Sequence, residues 1–153
     1  MNEKVNRIID SSREEYTETL RRWVQIPSVR GEAKEGAPFG REVRNMLDRA
    51  MADAEAMGFE VRNVDGYACD VTLGGAEEKI AVLGHLDVVP AGDPANWNTD
   101  PFKAEIIDGK MYGRGTIDDK GPLVAGYYAV KALKEAGFEV KDTKDGVTWK
   151  LNK

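Results

Sequence analysis

Apolar residues fall along this chain in blocks whose period changes. Val5, Ile8, Ile9, Tyr16, Leu20, Trp23 and Val24 recur near every 3.6 residues, with an interruption around Ser11-Ser12. That spacing predicts an amphipathic helix. It must end by Ile26, because Pro27 disfavours helical geometry in the residue before it. A charged loop from Ser28 to Gly40 follows, and Val43, Met46, Leu47, Ala50, Met51, Ala54 and Met57 then trace a second helical stripe. Gly58 stands where a left-handed glycine closes such a helix. The methionines in that stripe read as core packing rather than as an adaptable binding face.

From Phe59 the period drops to two. Phe59 to Val64 alternates like a half-buried strand, Asp65-Gly66 is a hairpin turn signal, and Tyr67 to Leu73 predicts the returning strand before Gly74-Gly75. Ile80-Ala81-Val82-Leu83 is a continuous apolar run, the mark of a strand covered on both faces. Ile106-Ile107, Asp108-Gly109 and Met111-Tyr112 predict another hairpin. Leu123 to Ala136 predicts a third helix, with Pro122 at its first position and Gly137 at its end. Val147, Trp149 and Leu151 predict a last strand after an Asp145-Gly146 turn. Helices interleaved with a buried strand indicate an α/β fold, a sheet flanked by helices.

Composition narrows the classes. A chain of 153 residues fits one domain, and 41% hydrophobic with 32% charged residues is ordinary for a globular protein. The formal charge is -5 and the basic residues are scattered, which argues against nucleic acid as the main partner. No apolar run approaches the ~20 residues of a membrane span, and Met1 to Arg7 lacks a signal core, so the expected location is the cytoplasm. The single cysteine, Cys69, excludes an internal disulfide and reads as a packed thiol rather than a zinc thiolate.

The chemistry concentrates between His85 and Pro122. His85, the only histidine, follows the expected buried strand and Gly84, and functional groups in open α/β sheets collect at such strand ends. An extended backbone turns residues 85 and 87 to one side. Asp87 can then accept one ring N–H and leave the other nitrogen free for a metal. The bland alternative is a core histidine beside a turn aspartate. Asp118-Asp119 places two carboxylates side by side between Gly113-Arg114-Gly115 and Lys120-Gly121. Such a pair is costly unless a cation or a helix N-terminus compensates it. A divalent metal would do so. An N-capping role would account for one aspartate but leaves His85 and the glycines unexplained. No phosphate loop, calcium hand or nucleophile elbow is present, and Trp97 with Pro101-Phe102 reads as a packed loop rather than a substrate wall.

Taken in order, His85-Leu86-Asp87-Val88-Val89-Pro90, Trp97…Asp100-Pro101-Phe102, Asp108-Gly109 and Tyr112-Gly113-Arg114-Gly115…Asp118-Asp119-Lys120-Gly121-Pro122 resemble the M20 zinc-peptidase family. Ile26-Pro27-Ser28-Val29-Arg30 and Ala37-Pro38-Phe39-Gly40 are most similar to its PepV-type dipeptidase branch. The resemblance implies a fold and a set of roles. His85 would bind one zinc, Asp87 would orient His85 close to the chemistry, and Asp118 would bridge two zincs. Asp119 would support the site through a cis peptide bond. The implied substrate is a short peptide, attacked by water that zinc activates and a glutamate deprotonates.

The family's Glu-Glu pair, its further acidic ligand, its distal histidine and its lid domain are not found in residues 1–153. The expectation is therefore a partial M20 catalytic domain, with zinc held incompletely and little or no hydrolysis by this chain alone. Two rivals accompany it. One is a non-catalytic subdomain that binds a complementing chain or a second copy. The other is an amino-acid deacylase of the same family.

Overall fold

The interruption at Ser11-Ser12 divides the first helical stripe in two. In the computed structural model, which describes residues 2–75, 81–143 and 146–151, α1 spans Glu3–Ser11 and α2 spans Arg13–Val24. The Ser12 N–H and hydroxyl both donate to the Ile8 carbonyl, at 3.0 and 2.8 Å. A side chain that competes for backbone acceptors in this way weakens a helix and bends it. The second stripe forms α3, Arg41–Ala56, and Gly58 follows it with φ +74°.

The third helix, α4, spans Lys120–Ala136. It begins two residues before the sequence places Pro122 at its first position. Proline is tolerated there because the first-turn N–H groups have no partners within the helix. Gly137 closes α4 in the left-handed region, φ +85°.

The strands come as antiparallel pairs. β1 (Glu60–Val64) pairs with β2 (Ala68–Thr72), and Asp65 and Gly66 turn between them with φ 50° and 76°. β3 (Glu105–Ile107) pairs with β4 (Lys110–Tyr112) through Asp108 and Gly109, again both at positive φ. β5 (Phe138–Thr143) pairs with β6 (Gly146–Leu151), where the sequence places its last strand; Asp145 lies outside the described residues. The α/β class stands, but among the described residues the sheet is three separate two-stranded ladders. Its one parallel element there is the bridge Val29↔Val88.

One expectation is overturned. The apolar run ending at Leu83 was expected to be a strand covered on both faces, yet Val82 is 70% and Leu83 94% exposed, and neither joins a ladder. Among the described residues no strand pairs with this segment. Ile80 lies outside the described residues.

The core sits where α2, α3 and α4 meet. Trp23, Val24, Met46, Ala50, Val124 and Tyr128 are buried together, so the methionine stripe packs as expected. Trp23 joins all three helices. Its ring meets Tyr127 edge-on at 5.4 Å, and its Nε1 donates to Asp53 Oδ2 at 2.7 Å. The Thr19 and Tyr128 hydroxyls bond at 3.0 Å across the α2–α4 contact.

Lysines from elsewhere in the chain hold the carboxyl ends of three helices. Lys4 Nζ donates to Ala136 O of α4 at 2.8 Å, and Lys134 Nζ donates to Met57 O and Gly58 O behind α3 at 3.0 and 2.7 Å. Lys120 Nζ does the same for α2, donating to Trp23 O and Ile26 O at 2.9 and 2.7 Å. The last carbonyls of a helix are unpaired and carry partial negative charge, so ammonium groups are favoured there.

Trp23→Ala removes a fully buried ring and the hydrogen bond to Asp53 Oδ2, leaving that carboxylate to Arg22 and Arg49. It is expected to cost about 3–5 kcal/mol in chemical denaturation. A loss under about 1 kcal/mol would mean that the three-helix junction does not hold the fold.

Candidate metal centre

His85, Asp87, Asp118 and Asp119 come together although 33 residues separate the outer pair. His85 Nε2 lies 2.9 Å from Asp118 Oδ1. His85 Nδ1 lies 3.0 Å from the Asp87 carbonyl oxygen and 3.4 Å from Asp87 Oδ1. The His85 backbone N–H donates to Asp119 Oδ2 at 3.2 Å. The Asp118-Asp119 peptide bond is cis. All four residues the sequence singled out therefore meet at one place.

Both ring nitrogens face atoms that only accept, the Asp87 carbonyl and the Asp118 carboxylate. A carbonyl oxygen only accepts, so Nδ1 carries a proton and donates to Asp87 O. Nε2 is then the lone-pair nitrogen of a neutral ring, and it faces a carboxylate. That contact favours a positive charge between the two, supplied either by a proton on Nε2 or by a metal ion. The pKa carries the same message. Partial burial pulls the imidazole down, but the Asp87 carbonyl and the Asp118 carboxylate outweigh it and leave His85 raised above its ordinary value.

The pair also suits zinc by size. Nitrogen and oxygen ligands on a tetrahedral zinc, with bonds near 2.0 Å, stand about 3.3 Å apart. The observed 2.9 Å needs to open only slightly. Half of the His85 side chain and 84% of the Asp118 side chain are exposed, so an ion can reach them. Among the described residues no group of three or more His, Cys, Asp or Glu converges as a complete ligand set.

Asp119 occupies the N-cap position of α4 without capping it. Its side chain makes no bond to the helix, and its Oδ2 is taken by the His85 N–H. The capping alternative thus fails for this aspartate. Gly84 permits the approach, because a Cβ there would stand 2.5 Å from both Asp119 Oδ2 and Leu123 Cδ2.

Cys69 is half-buried and lines a cavity of about 310 Å³ with Arg30, Phe39, Leu47, Leu86 and His85. Burial, and then the neighbouring Asp70, push its thiol pKa up, which disfavours the thiolate a metal would need. Trp97 is held within its loop, its Nε1 donating to Ala91 O at 2.9 Å and Arg114 stacked 5.2 Å from its ring.

Two residues stand inside the motifs that resemble the family but have no role assigned there. Lys120 is fully buried, and Ser28, also fully buried, donates to Leu86 O at 2.7 Å. Burial pushes the Lys120 ammonium pKa down to about 8. The sequence held one signal for Lys120. A cation in the first turn of a helix opposes the helix dipole and needs another reason to be there.

A helical layer carrying paired strands, with an imidazole and carboxylates gathered in one cluster, is an arrangement compatible with the class of metal-dependent hydrolases. The known proteins make the class specific. Residues 81–144 match the pattern of peptidase family M20/M25/M40. YtjP of Bacillus subtilis is 42% identical over 125 residues, covering 80% of this chain and 27% of that protein. The Beta-Ala-Xaa dipeptidase of Lactobacillus delbrueckii subsp. lactis is 41% identical over 116 residues, 75% of this chain and 24% of that protein. The solved structure of the di-peptidase Dug1p from Saccharomyces cerevisiae superposes with a TM-score of 0.71 at 28% identity, over 89% of this chain and 32% of that one. The chain belongs to the M20 peptidase family. It spans about a quarter of the length of the curated relatives it matches.

Gly84→Ala tests how the site is assembled. Its new methyl group displaces Asp119 from the His85 N–H, and the His85 amide should exchange with solvent at least tenfold faster. Unchanged exchange in a folded variant would show that this bond does not fix His85.

Proposed function

We propose that this chain is part of the catalytic domain of a zinc-dependent dipeptidase acting in the cytoplasm, and that it holds metal through His85 and Asp118. The contact between His85 Nε2 and Asp118 Oδ1 carries the reading, and the dipeptidase relatives support it. Among the described residues no helix is long and apolar enough to cross a membrane.

Bound zinc would supply polarisation of a peptide carbonyl and a lowered pKa for attacking water. The chain's own residues have distinct tasks. His85 Nε2 and Asp118 Oδ1 would hold the ion. Asp87 keeps the proton on Nδ1, which fixes the tautomer and aims Nε2. Asp119 holds the His85 backbone in place. A missing general base costs about 10²–10⁴-fold, and no third ligand or base joins the pair among the described residues. Hydrolysis by this chain alone is therefore expected to be little or none.

Zinc titration of the chain beside His85→Ala and Asp118→Ala checks the assignment. Each substitution should weaken uptake at least tenfold, and unchanged uptake in both would reject it. Metal and proton compete for Nε2. Because His85 holds its proton more tightly than an ordinary imidazole, zinc affinity should begin to fall on acidification at a pH above about 6.5. Affinity flat from neutral to mildly acidic pH would place the ion elsewhere.

A second reading has its own observation. The exposed Val82 and Leu83 line one cavity with Val71 and Thr72 of β2, and among the described residues β2 has β1 alone as a ladder partner. Unpaired backbone flanked by apolar side chains invites an added strand. On this reading the segment binds a second copy or a complementing chain. Val82→Lys with Leu83→Glu should abolish concentration-dependent self-association in sedimentation, and a chain monomeric at all concentrations would exclude the second copy.

A further inference from the structure

The two arms of the site, residues 85–88 and 118–120, are bonded to the same short turn at the end of α2. Lys120 Nζ donates to Trp23 O and Ile26 O at 2.9 and 2.7 Å. Ser28 Oγ donates to Leu86 O at 2.7 Å, and the Val88 N–H returns to Ser28 O at 3.0 Å. The Ile26 carbonyl also accepts the Ser28 N–H at 2.8 Å, so one carbonyl ties the two anchors together. Lys120 and Ser28 are both fully buried. Among the described residues no carboxylate pairs with the Lys120 ammonium, and two backbone carbonyls receive it.

We propose that Ser28 and Lys120 are positioning residues of the metal site, setting the separation of His85 from Asp118 by fixing both arms to the Trp23–Val29 turn. Leu86 lies between His85 and Asp87, so the Ser28 bond holds that arm at its middle. Lys120 follows Asp118-Asp119 directly, and its backbone N–H donates to Gly115 O at 3.1 Å. Its side chain and its main chain thus grip opposite sides of the carboxylate turn. An ion chelated by two arms binds well only if the arms are already spaced for it.

The inference rests on the metal reading of His85 and Asp118, and the experiment separates the two. Zn²⁺ and Co²⁺ titrations are followed by the His85 ring resonances, unambiguous because the chain has one histidine, and by the Co²⁺ visible spectrum. Ser28→Ala and Lys120→Met should each weaken metal affinity at least tenfold and alter the Co²⁺ spectrum. They should also shift the metal-free His85 ring resonances at fixed pH. Lys134→Met is the control, since it removes a lysine that caps α3 away from the site. It should lower stability and leave the metal and the His85 signals unchanged.

Affinities within twofold of the parent in both variants would overturn the proposal. So would an equal loss in Lys134→Met, which would mark a general effect of destabilisation. Should Lys120→Met fail to fold, Ser28→Ala alone decides. If the parent chain takes up no metal, the metal reading falls, and the metal-free His85 resonances still decide. A shift in Ser28→Ala or Lys120→Met, but not in Lys134→Met, supports positioning, and no shift in either overturns it.

Discussion

A lysine in the first turn of a helix is electrostatically misplaced, and Lys120 is buried there as well. Burying an ammonium is expensive unless its protons find acceptors. The Trp23 and Ile26 carbonyls at the end of α2 each accept a backbone N–H and still offer a second lone pair, and they face it. The cost at one helix start is thus offset by the need at another helix end. This exchange docks α4 onto α2 and sets the Asp118-Asp119 turn against the Trp23–Val29 turn. The segment carrying His85 reaches the same turn through Ser28.

The second constraint is charge. Four residues form the site, three of them carboxylates, and the His85 Nε2 lone pair points at one of those. In the ion-free chain a proton on Nε2 answers part of that demand, which is why the imidazole holds it above the usual pKa. A divalent cation would answer more of it. The proposed metal site thus draws together the raised histidine and the clustered carboxylates in a chain of the M20 peptidase family.

Much of this was legible in the sequence, for local reasons. The 3.6-residue stripes of α2 and α3, the break at Ser12 and the Asp-Gly turns depend on neighbouring residues, and each falls where the pattern placed it. That His85, Asp87, Asp118 and Asp119 stand close together was legible because the chain has a single histidine and an aspartate pair set between glycines; that they hold metal is the proposal. Two things were not legible. An apolar run such as Ala81 to Leu83 signals a covered strand only if partners exist to cover it, and partners are a property of the whole fold. The roles of Lys120 and Ser28 were the other, because both motifs contain them but the backbone carbonyls they reach are set by the fold and not by side-chain pattern.

The most direct test of the account is a crystal of this chain soaked with zinc and measured at the zinc absorption edge. The anomalous peak should lie about 2 Å from both His85 Nε2 and Asp118 Oδ1, with Asp87 still on Nδ1. A peak at Cys69, or one touching His85 but not Asp118, would contradict the assignment of the metal site.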